Sequence, residues 1–303
     1  MTRVVMRDGA ELSVRVVGRG QPVLMLPGLG MSAGSWLPFI LPHLGRFRFH
    51  LVDFRGAGGS AEVALKPGDV FQAHMEDVQD VIAHFGLRDF LLAGISLGGT
   101  TSLHLQRAGG FVAVKRYLHI DQSPCVGNRE DWQHGLFGSR QDELFAKLRA
   151  IVAVLDAHPD CPRFVDLPPS ARIAAGDTLA EVLAMMAGGK ALRPLLRAVM
   201  RLPRPLLAHV PLPMARLADM RTYLSAYAAG GHDYRASLTR DAVPVTVMTG
   251  VRSPLYAEAG QALVASAHPR SRIVRFERSG HVPLKDEPLR FALEFGRWLY
   301  DAA

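Results

Sequence analysis

Apolar residues recur along this chain with two rhythms, and the points where the rhythm changes mark out its elements. Val4 to Met6 and Leu12 to Val17 flank Asp8-Gly9, a turn pair whose glycine accepts positive φ, so the pattern predicts an opening hairpin of two antiparallel strands. Val23-Leu24-Met25-Leu26 is an unbroken apolar run, as expected of a strand buried on both faces. Phe49 to Asp53, Asp89 to Ile95 and Val112 to Ile120 carry the same short signature. After the first of these the spacing lengthens: Met75, Val78, Val81, Ile82 and Phe85 share one face of a helix over Phe71 to Phe85, with Gly86 as its stop. Such alternation implies a parallel sheet, and ligands of such sheets gather at the carboxyl ends of the strands.

The alternation lapses after Asp121-Gln122-Ser123-Pro124 and returns at Val243 to Gly250. Between them the pattern is helical. Leu144, Phe145, Leu148, Ile151, Val152 and Leu155 form one apolar face; Leu179, Val182, Leu183 and Met186 form another. Ser139-Arg140-Gln141-Asp142 and Thr178-Leu179-Ala180-Glu181 have the form of capping boxes that would open such helices. About four to six helices are expected here, lying over the strand ends. A strand to Gly250, a helix over Ala257 to Ala267, a strand over Arg272 to Phe276 and an amphipathic helix from Asp286 to Tyr300 complete the chain. The division is therefore an α/β core made of residues 1–122 and 243–303, with a helical cap at 123–242.

At 303 residues the chain is long enough for a core and an inserted subdomain. Its net charge of +7 is almost wholly arginine, since the lysines are only Lys66, Lys115, Lys147, Lys190 and Lys285. The arginines are scattered without interleaved aromatics or a recognition motif, which argues for compositional bias and against nucleic-acid binding. Arg193, Arg197, Arg201, Arg204, Arg216 and Arg221 lie among leucines and prolines in residues 190–221. That stretch is expected to be a solvated cap edge, with contact to an anionic lipid surface as the lesser alternative. Cys125 and Cys161 make neither a disulfide framework nor a metal-ligand spacing. No run is long enough to span a bilayer, and the N-terminus enters strand-like alternation without a leader, so a cytoplasmic location is expected.

Chemistry concentrates at Gly94-Ile95-Ser96-Leu97-Gly98, which joins a predicted strand to a predicted helix. A serine at the tip of such a turn sits in a strained conformation with its hydroxyl presented to a ligand, and the Leu97 N–H at the helix start is aimed at the same point. Ser96 is thus a candidate nucleophile and Leu97 a candidate oxyanion donor. A serine hydroxyl is a weak nucleophile at neutral pH and needs a base, itself oriented by a third group.

Together these features resemble the α/β-hydrolase superfamily, in its serine esterase and non-haem haloperoxidase-like branch; the similarity covers the core more than the cap. The resemblance implies a mostly parallel eight-stranded sheet flanked by helices. It places the catalytic base at His281, in the Ser279-Gly280-His281 turn after the last strand. His104, His119, His134 and His232 lack that setting. Pro27-Gly28-Leu29-Gly30 stands where the family carries a His-Gly loop, which makes the Leu29 N–H the second oxyanion donor, with Pro27 in place of histidine. Asp53 and Arg55 belong to a turn of structural role. The family's usual acid would fall at Ser253, three residues past Gly250, so the acid is assigned instead to Asp121, an alternative position in the fold. Replacing Ser253 by alanine is then expected to be nearly silent.

A serine nucleophile excludes the alkyl-enzyme chemistry of relatives that use aspartate there. The expected function is hydrolysis of carboxylic esters of apolar acyl or aryl substrates through an acyl-enzyme, with no cofactor and no metal. Thioesterase, lactonase, C–C hydrolase and cofactor-free perhydrolase chemistry would use the same residues; the rival from another class is a non-catalytic ligand-binding protein. Met185, Met186, Met200, Met214 and Met220 suggest an adaptable apolar pocket in the cap, although core packing is the expected place for most of them.

Overall fold

The apolar runs pair into one eight-stranded sheet in this computed structural model, which describes residues 1–187, 190–210, 216–268 and 270–301. The strands are β1 (Thr2–Val5), β2 (Glu11–Gly18), β3 (Gln21–Leu26), β4 (Phe47–Val52), β5 (Phe90–Ile95), β6 (Val114–Ile120), β7 (Val245–Gly250) and β8 (Ser271–Phe276). Their order is β1-β2-β4-β3-β5-β6-β7-β8; the pairings of β1 with β2 and β2 with β4 are antiparallel and the rest parallel. Because β4 lies on one side of β3 and β5 on the other, the chain reverses direction across the sheet there. The carboxyl ends of β3 and β5 therefore flank a crevice where a ligand can sit.

The helices are α1 (Leu37–Ile40), α2 (Val70–Phe85), α3 (Leu97–Arg107), α4 (Gln141–Asp156), α5 (Pro169–Ala187), α6 (Arg193–Met200), α7 (Arg204–Leu207), α8 (Leu217–Ala229), α9 (Glu258–Ser266), α10 (Pro283–Asp286) and α11 (Pro288–Tyr300). The period of two along β3 separates two cores: Leu24 and Leu26 face one with α2, α3 and α9, while Val23 and Met25 face the other with α1 and α11. In the second core Phe291 packs among Phe39, Phe276, Phe295 and Trp36. Helix α2 starts where Asp69 accepts the Phe71 and Gln72 N–H groups and stops at left-handed Gly86, as expected from its sequence.

Between β6 and β7 the described residues hold five α-helices, α4 to α8, and no strand of the sheet. Neither capping box forms. Left-handed Phe137 and Gly138 lead into a 3₁₀ turn at Gly138–Arg140 that runs straight into α4, so Ser139 lies inside helical backbone instead of ahead of it. Thr178 falls in the middle of α5, because a proline at the first position, Pro169, starts that helix earlier. Likewise the sixth strand begins at Val114 and not Val112, since Gly110–Ala113 is a 3₁₀ turn and leaves Val112 89% exposed. Met200 and Met220 are buried in the first core; Met214 lies outside the described residues, and the side chains of Met185 and Met186 do too. Among the described residues no helix is long and apolar enough to cross a membrane.

The turn after β4 acts as a scaffold. The Asp53 carboxylate accepts from the Ala33 N–H at 2.6 Å and the Gly59 N–H at 2.9 Å. Arg55 donates to buried Asp77 of α2 at 2.7 Å. These bonds tie the loop after β3, the turn after β4 and α2 into one unit beside the crevice.

Candidate active site

At the end of β5 the chain must reverse within one residue to start α3, and Ser96 takes the strain, with φ 51° and ψ −115°. A side chain in this region costs about 1–3 kcal/mol unless the surroundings over-determine it. They do. The Ser96 N–H donates to the Ile120 carbonyl at 3.0 Å, and its own carbonyl accepts from Thr100 at 2.9 Å. The two glycines are required by close approach: a Cβ on Gly94 would collide with the Gly98 carbonyl, and one on Gly98 with the Leu26 carbonyl at the end of β3. Gly98→Ala is therefore expected to lower stability by about 1–3 kcal/mol through overpacking against backbone that cannot rotate away. Urea denaturation reads this directly, and an unchanged midpoint would contradict the account.

Three further strand ends converge on Ser96. His281 follows β8 in a loop held on both sides: Gly280 N–H donates to Asp286 at 2.9 Å, and Arg252 N–H donates to the Ser279 carbonyl at 2.9 Å. Its Nε2 lies 2.9 Å from Ser96 Oγ and its Nδ1 lies 2.6 Å from Asp121 Oδ2. A carboxylate only accepts, so Nδ1 carries the proton and Nε2 is the acceptor facing Ser96. Asp121 follows β6 with φ 43°, its N–H bonded to the Met248 carbonyl at 3.0 Å. Ser96 is 8% exposed, His281 3% and Asp121 0%.

Asp121 is held more firmly than a carboxylate that merely ends a turn. Oδ1 accepts from Gly250 N–H at 2.9 Å and from Gln261 Nε2 at 3.1 Å; Oδ2 accepts from Ser253 Oγ at 2.7 Å as well as from His281. The sequence gives Ser253 no contact with the site, whereas in the structure its hydroxyl bonds the same carboxylate oxygen as the imidazole. Gln261, fully buried on α9, was not singled out from the sequence. The available signal was a glutamine on the apolar face of an amphipathic helix, which needs a partner.

The Gly28–Gly30 loop packs against Ser96, with a Cβ on Gly28 lying 3.5 Å from Ser96 Cβ. Pro27 contributes no side-chain bond; the loop is held by its Met31 N–H to Gly28 carbonyl turn at 3.1 Å and by the Asp53–Ala33 bond. Leu97 is the first residue of α3, so its N–H has no intrahelical acceptor. Among the described residues the Leu29 N–H has no backbone acceptor either. Both residues border the crevice, Leu29 in the loop after β3 and Leu97 directly after β5 and Ser96.

Ser96 opens into a cavity of about 60 Å³ whose walls include Leu29 and Tyr256 from the core side, Leu136 from the segment ahead of α4, and Leu148, Val182 and Leu224 from α4, α5 and α8. Tyr227 and Tyr256 supply its other polar atoms, and burial pushes both phenols above their ordinary pKa, so no charge lines the space. Neither Met200 nor Met220 lines it; its described walls are mainly leucine, valine and aromatic side chains. A wider cleft of about 690 Å³ between residues 64–69 and α8 does not reach Ser96. Its cations already have partners, Lys66 with Asp77 and Arg216 with Glu62.

The other histidines are placed as core or loop residues. His119 bonds Tyr117 at 2.8 Å and the Gln122 carbonyl at 2.6 Å, and burial pushes its pKa down to about 4. His104, bonded to Gln72 at 2.8 Å, is pushed down to about 4 by burial as well. His232 pairs with Asp69 at 3.2 Å. Among the described residues no group of three or more His, Cys, Asp or Glu side chains is placed to hold a metal ion.

Comparison with known proteins identifies the family. The model of the alpha/beta hydrolase family matches residues 23–294. A pimeloyl-[acyl-carrier protein] methyl ester esterase of Nitrosomonas europaea is 26% identical over 93% of this chain and 97% of its own. A non-heme haloperoxidase of Rhodococcus erythropolis is 34% identical over 45% of this chain and 50% of its own. Among solved structures, an esterase from Exiguobacterium antarcticum superposes with a TM-score of 0.72 at 20% identity, covering 99% of each chain. The match across nearly the whole core and insert, on top of the strand order and the serine turn, means that this chain belongs to the alpha/beta hydrolase family.

Proposed function

We propose that this protein is a serine hydrolase that cleaves carboxylic esters with an apolar acyl or aryl part through an acyl-enzyme intermediate. The observation that carries the reading is the continuous hydrogen-bond chain Ser96–His281–Asp121 opening onto an uncharged cavity. His281 Nε2 takes the Ser96 proton as Oγ attacks the ester carbonyl. The Leu29 and Leu97 amides receive the oxyanion, a contribution of about 100-fold or more per donor. The imidazolium, stabilised by Asp121, then protonates the leaving alcohol and afterwards activates water against the acyl-enzyme. No cofactor is required by these steps.

Residues 123–242 act in this reading as a cap that selects the acyl group. A cavity of about 60 Å³ suits a short acyl chain, and a longer one requires α4, α5 and α8 to separate. Hydrolysis of a small-alcohol ester on a longer, carrier-bound acyl chain is the second reading, supported by the relative that spans 97% of its own length and is named for that reaction. We infer a reducing cytoplasm as its location, which suits the free thiols of Cys125 and Cys161.

A fluorophosphonate probe and a series of p-nitrophenyl esters test the proposal together. One probe is expected on each protein molecule, at Ser96. Butyrate should turn over at least about tenfold faster than dodecanoate, because the longer chain fits only after α4, α5 and α8 separate. A parent protein that takes no probe and turns over no ester overturns the reading.

A further inference from the structure

Ser253 stands out because the triad reading gives it no part, yet its hydroxyl is 2.7 Å from the carboxylate oxygen that His281 uses. Resting on the proposed triad, we propose that Ser253 is a positioning residue: its hydroxyl fixes Asp121 Oδ2 in line with His281 Nδ1 throughout turnover.

The argument begins with how the carboxylate is held. Oδ1 has two donors, the Gly250 N–H and Gln261 Nε2, so losing one leaves the other. Among the described residues Oδ2 has only Ser253 besides His281. The imidazole is the group whose charge changes during the reaction, so Ser253 supplies the one constant bond on that oxygen.

The hydroxyl is itself oriented. Ser253 N–H donates to the Gly250 carbonyl at 2.9 Å, which closes a turn directly after β7. Its Oγ accepts from the Tyr256 N–H at 3.5 Å, leaving the hydroxyl proton directed at Asp121. Gln261 Nε2 donates both to Asp121 Oδ1 and to the Tyr256 carbonyl at 3.2 Å. With acceptors on both sides of the nitrogen, the amide orientation is settled. Thus the segment 250–261 supplies three donors to a carboxylate that arrives from β6, and Tyr256, which lines the cavity, shares two of the same partners. The absence of an acid at position 253 is therefore no sign of a degraded site; the residue there serves the acid from the neighbouring strand.

Threonine and valine at position 253 give the cleanest test, since they have nearly the same shape and differ in the hydroxyl. With p-nitrophenyl butyrate, Ser253→Thr is expected to stay within about threefold of the parent kcat. Ser253→Val is expected to lose about 10- to 100-fold in kcat, the range for a hydrogen bond to a charged group, with KM changed less than about twofold. Ser253→Ala should fall between, because water can refill the hole. The low-field proton resonance of the His281–Asp121 bond is expected to move in Ser253→Val and stay in place in Ser253→Thr. Urea midpoints of the three variants should agree.

Valine as active as threonine, in an active parent, overturns this inference and leaves the triad reading standing. A loss shared equally by Thr and Val, or appearing in KM, also overturns it, as that marks a disturbed loop. Failure of the triad reading looks different: the parent and Ser96→Ala would then be equally inactive.

Discussion

Ser96→Ala is expected to lower kcat/KM for a neutral p-nitrophenyl ester by about 10⁴-fold or more, equivalent to about 5.5 kcal/mol of transition-state stabilisation. The variant lacks the atom that forms the acyl bond, and His281 Nε2 loses its partner at 2.9 Å. The residual rate should come from the Leu29 and Leu97 amides and from binding alone. Because alanine carries the same Cβ as serine at a φ of 51°, and Oγ bonds only His281 among the described residues, the stability read from urea denaturation should move by less than about 1 kcal/mol. The fluorophosphonate probe should no longer attach. If alanine at 96 leaves ester turnover intact, the hydrolysis arises elsewhere; if the parent binds apolar esters without turning them over, the protein is a ligand-binding member of its family.

Asp121→Asn should cost about as much, on the order of 10⁴-fold in kcat, by a different route. Every neighbour of the carboxylate is a donor: Gly250 N–H, Gln261 Nε2, Ser253 Oγ and His281 Nδ1–H. An asparagine has one oxygen and one NH₂ to offer, so it must set a donor against a donor on one side. Turning its oxygen toward Gly250 and Gln261 leaves NH₂ facing Nδ1 and favours the tautomer with the proton on Nε2, which can no longer accept from Ser96. Turning it the other way breaks two buried bonds. The fluorophosphonate reaction, which also needs an activated serine, should slow in parallel. Retention of more than about a tenth of the parent kcat would show that this carboxylate does not orient the base.

Several parts of the site were legible before any coordinates. The glycines at 94 and 98 mark a place where backbone meets backbone, and the collisions a Cβ would make there are of that kind. The shift from unbroken apolar runs to a spacing of three and four located α2 and its Gly86 stop. The capping boxes failed because their residues are common at helix starts without being confined to them: Pro169 had already started α5, and a left-handed pair at 137 and 138 carried the chain into α4. Met200 and Met220 lie in the core, and helical spacing could not have decided that, because it says which residues share a face and not whether that face meets the core or a cavity.

By itself the sequence determined the order of strands and helices and the strained serine turn, and it pointed to a candidate base and a candidate acid at strand ends. Each of these follows from sterics and hydrophobic periodicity acting over about a dozen residues or fewer, or from matching a family motif. Tertiary structure alone decided that Ser96 and His281, 185 residues apart, share a hydrogen bond, that Asp121 reaches across 160 residues to the same imidazole, and that Ser253 and Gln261 hold it there. It also decided the size of the cavity. The physical reason is that hydrogen bonds are made or lost within a few tenths of an ångström, and their lengths here depend on strand order, on register and on how the insert packs over the strand ends, none of which a local pattern encodes.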